Sequence, residues 1–133
     1  MKLDLKVDQA LADAALAAAK VIEAKMKRRI FNEGRAVNGS IGKYRSRSYR
    51  AKRRAAGRQI GKKDLEFHGD LRRSIQTGKR SMGAVVGFTN DRSRKIMGYQ
   101  EDQTGKNISG VTDATLKSAR AAFKKIYRAK ISR

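Results

Sequence analysis

The sequence contains no cysteine, no proline and no tryptophan, and it has a single histidine. Without cysteine there is no disulfide framework, no thiolate metal site and no cysteine nucleophile. No stretch approaches the roughly 20 apolar residues that cross a bilayer, and the charged, alternating start Met1–Val7 is not expected to be a signal peptide. Acidic residues are scarce, 12 against 33 lysines and arginines, which gives a net charge of +21. The length of 133 residues predicts one domain, residues 1–133.

The positive charge lies in two blocks. Residues 1–26 carry four basic and four acidic groups, and residues 64–91 balance in the same way. By contrast, residues 27–63 carry fourteen basic groups and one acid, and residues 92–133 carry eleven against three. Such blocks repel themselves in water, so an ordered block needs neighbours that neutralise or hold it.

Hydrophobic periodicity predicts an α+β fold. In this fold a small antiparallel sheet packs with a long N-terminal helix and a long C-terminal helix, and residues 32–63 form an extended basic loop or arm between them. The arm is too long for an ordinary connection, and long loops inside compact domains are usually functional. The predicted elements are a strand at Leu3–Val7, a helix at Gln9–Phe31 with Asp8 as its N-cap, a loop at Asn32–Gly42, a short helix at Ser48–Ala56, a helical turn at Gly69–Ser74, a hairpin of Ser74–Lys79 with Ala84–Phe88, a short helix at Lys95–Glu101, a mobile loop at Asp102–Gly110 and a helix at Asp113–Ile131 capped by Thr112.

Catalytic chemistry has little support in the sequence. A lone histidine such as His68 in a turn is more often structural than catalytic, and Ser74 has no histidine partner at a readable spacing. Asp64, Glu66 and Asp70 are close in sequence, but their spacing matches no cation-binding loop, and arginines nearby are the expected partners. We therefore predict no enzyme activity, no metal and no cofactor.

The basic segment predicts contact with something anionic or with a partner protein. Its arginines would neutralise phosphates, and Tyr44 and Tyr49 would stack on bases. Arginine and tyrosine are equally favoured at protein interfaces, so both interpretations stay open. The candidate contact residues are Lys43, Tyr44, Arg45, Arg47, Tyr49, Arg50, Lys52, Arg53, Arg54, Arg58, Lys62 and Lys63.

Residues 68–75, His-Gly-Asp-Leu-Arg-Arg-Ser-Ile, form a pattern that composition does not explain. Gly69, Leu71, Ser74 and Ile75 are similar to a Thr-Gly-x-Leu-x-x-Ser-Ile turn, with histidine in place of threonine. In order along the chain, this turn is accompanied by Ile30–Gly34 at the end of the first helix, Tyr44–Arg54 in the loop, Val86–Phe88 in a strand and Tyr99–Glu101 in a short helix. With these residues the chain resembles the small tail-completion, or head–tail connector, virion proteins of long-tailed bacteriophages.

The resemblance implies a structural virion protein of the neck or tail terminus. Members of that family commonly form rings, often of six subunits, around the channel through which DNA passes. The implied partners are other copies of the chain, neighbouring neck or tail proteins and DNA in the channel, with no membrane, and the implied location is the virion after synthesis in the bacterial cytoplasm. The alternative interpretation is a basic nucleic-acid-binding module, either ribosomal-protein-like or a phage DNA-binding protein.

Overall fold

A computed structural model describes residues 2–65, 69–81 and 83–132, with side chains described from residue 6 onward. The described chain contains helices and two small antiparallel two-stranded sheets. In chain order the elements are α1 (Lys2–Lys27), a π-helical turn (Arg28–Asn32), β1 (Arg35–Ala36), β2 (Gly39–Ser40), α2 (Arg47–Ala55), α3 (Asp70–Ser74), β3 (Ile75–Arg80), β4 (Gly83–Phe88), α4 (Asp91–Thr104) and α5 (Asp113–Ile131). This architecture confirms the predicted α+β class with its two long helices.

The strand predicted at Leu3–Val7 is wrong, because helix α1 already includes Lys2. Leu3 and Val7 are four residues apart, so the same alternation also fits the helical repeat. No glycine or proline separates them from the alanine-rich run that follows. Asp8 consequently lies inside the helix and is not its N-cap.

Contacts divide the chain into two compact units, each built from separate stretches of sequence. The first unit comprises residues 1–26, 75–87 and 111–133, and therefore contains α1, the β3–β4 hairpin and α5. Alanines predominate among its buried side chains, and Ala14 of α1, Ile75 of β3 and Ala119 of α5 are at most 4% exposed. An ion pair joins Lys130 to Asp13 at 3.6 Å. Helix α5 has the predicted bounds, and its predicted cap Thr112 accepts a hydrogen bond from the backbone N–H of Thr115.

The second unit comprises residues 27–74 and 88–110. The predicted loop at 32–42 contains a short hairpin, in which Arg35 pairs with Ser40 and Ala36 with Gly39. Val37 and Asn38 form the two-residue turn between the paired positions. Buried Ile30, Phe31, Ala36, Ile41, Met97 and Ile108 form the core of the unit.

Arg29 fixes the segment that follows α4. Its side chain is 8% exposed and donates hydrogen bonds to the carbonyl oxygens of Ile108 and Gly110. Burial lowers the pKa of Arg29 below the ordinary arginine value. The carboxylate of Glu101 accepts from the backbone N–H of Ile108 at 2.9 Å. The segment predicted as a mobile loop at 102–110 is therefore helical to Thr104 and then held by hydrogen bonds.

Helix α4 is longer than its predicted span of Lys95–Glu101. The side chain of Asn90 caps it by accepting from the backbone N–H of Ser93 at 2.8 Å, and Gly105 ends it in a left-handed conformation (φ +66°). Asn90 and Gly105 both lie outside the predicted span of the helix. The predicted helical turn before the β3–β4 hairpin is confirmed as α3.

Candidate functional site

Helix α2 organises the basic segment. The side chain of Ser46 accepts a hydrogen bond from the backbone N–H of Tyr49 and caps the helix, and Gly57 follows the helix with φ +75°. The predicted helix at Ser48–Ala56 is thus confirmed to within one residue at each end. The last turn contains Lys52, Arg53 and Arg54, which complement the negative end of the helix dipole.

One arginine of this helix points inward. Arg53 is 0% exposed, and its guanidinium pairs with the carboxylate of Asp64 at 3.0 Å. Its Nε donates to the carbonyl oxygen of Gln59 at 3.1 Å, and its Cζ lies 4.2 Å from the centre of the Tyr44 ring. A buried arginine needs such partners because an unpaired charge inside a protein is very costly.

Tyr44 completes this cluster, here called the Arg53–Asp64 cluster. Its hydroxyl donates to Asp64 at 3.1 Å and accepts from the backbone N–H of Leu65 at 3.0 Å. Burial, followed by the charge of Asp64, raises the pKa of Tyr44 well above that of an ordinary tyrosine. The ring also stacks with Tyr49, with a centroid distance of 5.3 Å.

The Arg53–Asp64 cluster gives a structural role to two of the candidate contact residues, Arg53 and Tyr44. Arg53 is inaccessible and Tyr44 is engaged by Asp64, Tyr49 and Arg53, so these two side chains hold the segment together. The expectation of external contact is corrected for Arg53, because burial and internal pairing have used its binding groups, whereas Tyr44 is half-buried and keeps some accessible surface. The other ten remain accessible: Lys43, Arg45, Arg47, Lys52, Arg54, Arg58 and Lys62 are exposed, and Tyr49, Arg50 and Lys63 are half-buried.

A groove of about 1390 Å³ lies within the second unit. Residues 40–46 form part of its lining, and one face of α4 forms another part through Arg92, Ile96, Gln100 and Gln103. We call this feature the α4 groove. Its cationic side chains are Lys43, Arg45, Lys63, Arg73, Arg92 and Lys106, and its apolar ones include Ile41, Leu65, Leu71 and Ile96.

Sequence reasoning missed the α4 half of this groove. Ile96, Gln100 and Gln103 recur at spacings of four and three, the repeat of one helix face, but this face is too polar to be recognised as a core. Of the candidate contact residues, the groove brings together Lys43, Arg45 and Lys63 with the two tyrosines. The cations of α2 do not line it, nor do Arg58 and Lys62.

The described residues contain no group of three or more histidine or acidic side chains placed to hold a metal ion. Asp64 is paired with Arg53, and Asp70 is paired with Arg73. His68, the candidate acid–base group, and Glu66, one of the candidate metal ligands, lie outside the described residues. Among the described helices, none combines the length and apolar character needed to cross a membrane.

Comparisons with protein-family models, with curated proteins and with solved structures return no match for this chain.

Proposed function

We propose that this chain is a structural virion protein of the bacteriophage neck or tail terminus, a tail-completion or tail-terminator protein that assembles as a ring around the DNA channel. The observation that carries the proposal is the order of elements. A long helix, a folded basic segment, the helical turn Asp70–Ser74 leading directly into a hairpin, a short helix and a final helix follow one another as in the family that the sequence resembles.

The folded state of the basic segment also supports an assembly role. The Arg53–Asp64 cluster fixes α2, so its exposed cations Arg47 and Arg54 occupy defined positions, and so does Arg58 just beyond the helix, whose backbone N–H donates to the carbonyl oxygen of Arg53. A preordered surface loses less conformational entropy on association than a disordered tail does. Defined cations are suited to contact with an acidic surface of a neighbouring neck or tail protein, or with the DNA in the channel.

The proposal is tested by the oligomeric state and by the particle. We expect the purified protein to sediment as a closed oligomer, with rings visible by negative-stain electron microscopy, and mass spectrometry of purified phage particles to detect the chain. A protein that stays monomeric across concentrations and is missing from the particles would contradict the proposal.

A second candidate, a nucleic-acid-binding module, is favoured by the exposed cations of α2. Binding through these residues releases counterions, so the affinity for duplex DNA would fall steeply with salt. Replacing Arg47, Arg54 and Arg58 with glutamine would then lower the slope of log affinity against log salt by about one for each phosphate that the variant no longer neutralises. The matched control replaces Lys117, Lys124 and Arg128 of α5, which removes the same charge elsewhere. This candidate function is contradicted if the slope of log affinity against log salt is shallow and neither triple variant changes it.

A further inference from the structure

The α4 groove is too large for a small-molecule site. Its volume of about 1390 Å³ exceeds the roughly 300–1,000 Å³ typical of such pockets. It lies entirely within the second unit, and it is lined by a loop on one part and a helix face on another. These dimensions are suited to a segment of polypeptide or of single-stranded nucleic acid.

The charge of the groove calls for an anionic occupant. The described residues of its lining include six cationic side chains and one carboxylate, Asp70, which is already paired with Arg73. Within the described part of the chain, Arg45 and Lys63 have no acidic partner, and burial, followed by the charge of Arg45, lowers the pKa of Lys63. Two like charges held together are destabilising, and an anion placed between them would relieve the repulsion.

The groove is also apolar in part. Leu65 and Leu71 are half-buried and Ile96 is 40% exposed, so an occupant has apolar surface to cover.

Two other occupants are less well matched. A second copy of this chain also carries a net charge of +21, so its net charge does not complement a cationic groove. Single-stranded nucleic acid binds by stacking its bases on aromatic rings, but the Tyr44 ring of this groove is already engaged by Tyr49 and Arg53.

We propose that the α4 groove binds an extended acidic segment of a partner protein, in which carboxylates alternate with apolar side chains. The carboxylates would pair with Arg45, Lys63 and their cationic neighbours, and the apolar side chains would pack on Leu65, Leu71 and Ile96. The proposal goes beyond the ring and does not depend on it.

Fluorescence polarisation with labelled peptides tests the proposal on the full chain. The probe is a short fluorescein-labelled peptide of alternating glutamate and leucine, and its neutral counterpart has glutamine in place of glutamate. We expect the acidic peptide to bind at least about tenfold more tightly. The double variant Arg45→Gln/Lys63→Gln is expected to lose about tenfold in affinity, the combined effect of two exposed or half-exposed ion pairs. Ile96→Ser is expected to weaken binding of the acidic peptide by several fold.

The matched control is Lys124→Gln/Lys125→Gln, which removes two exposed charges from α5 and is expected to change the affinity by less than twofold. Far-UV circular dichroism and melting curves establish that every variant is folded. The proposal is overturned if the peptide does not bind or if both double variants weaken it equally. It is also overturned if labelled oligodeoxythymidine binds more tightly than the acidic peptide and loses affinity in the Arg45→Gln/Lys63→Gln variant, since the groove would then be a nucleic-acid site. Because each assay reads the groove alone, a negative result leaves the ring proposal to its own test.

Discussion

Replacing Asp64 with asparagine removes one charge from the Arg53–Asp64 cluster and leaves its shape almost unchanged. The Arg53 guanidinium is 0% exposed, so it has no access to water that would replace the lost carboxylate. Removing one partner of a buried ion pair costs about 3–5 kcal/mol. Asparagine keeps an acceptor oxygen for Tyr44, but its NH2 group would face the Nε2 donor of Gln59, which hydrogen-bonds to Asp64 at 2.7 Å. We therefore expect a loss of about 3–5 kcal/mol of unfolding free energy and a fall in melting temperature of at least roughly 10 °C.

Urea unfolding followed by circular dichroism measures this loss. The control is Asp70→Asn, which breaks the ion pair with Arg73. The side chain of Asp70 is 81% exposed and that of Arg73 is 67% exposed. An exposed pair contributes about 0–1 kcal/mol. Limited digestion with trypsin adds a local measurement, because the basic segment is rich in cleavage sites, and we expect it to be cut faster in Asp64→Asn than in Asp70→Asn.

Equal losses in the two variants would refute the reasoning, since burial would then make no difference to the ion pair. The double variant Arg53→Met/Asp64→Leu sharpens the test. Replacing both members of a buried pair with apolar residues is often neutral or stabilising, so we expect the double variant to be more stable than Asp64→Asn. If it is less stable, the polar contacts of the cluster contribute more than its charge balance.

Three further predictions concern the same regions. Gly34→Ala should lower the unfolding free energy, measured with urea, by at least about 1 kcal/mol more than Gly105→Ala. Both glycines are left-handed (φ +64° and +66°), but only at Gly34 would the new Cβ meet a backbone atom, the Lys63 carbonyl oxygen at 2.8 Å. Equal losses would contradict this close approach. Tyr44→Phe should make the unfolding free energy less dependent on pH above about pH 10. In the wild-type protein the folded state keeps the Tyr44 proton, whereas the unfolded chain loses it above about pH 10, so the unfolding free energy falls as the pH rises past that value. The variant lacks this hydroxyl, and its unfolding free energy should fall less. Asn90→Ala should lower the unfolding free energy by about 1 kcal/mol because the α4 cap is removed, and an unchanged value would show that the cap is dispensable.

The sequence predicts the fold well wherever one strong local signal decides the structure. Thr112 before an apolar repeat predicts α5 with its bounds, and the run Ala84–Phe88 predicts the second strand of the larger hairpin. The pattern misleads at Leu3–Val7, where a short alternation also satisfies the helical repeat, and there the continuous run into the alanines decides in favour of α1.

The candidate site is less predictable because its organising contacts are distant in sequence. A carboxylate at Asp64 and a guanidinium at Arg53 are ordinary in composition, and only the fold shows that they bury each other. The chain has so many arginines that no local feature distinguishes the structural one from the exposed ones. The α4 half of the groove escapes prediction for a similar reason, since its role depends on what lies opposite it.

The discontinuity of the two units has a consequence for folding during synthesis. All residues of the second unit precede residue 111, whereas the first unit also requires α5. All of the second unit is therefore synthesised before α5, the helix that completes the first unit with α1, about a hundred residues further along the chain. Contacts of such long sequence separation form slowly, so substitutions in α5 are expected to lengthen the time for which newly made chains are exposed to aggregation and proteolysis.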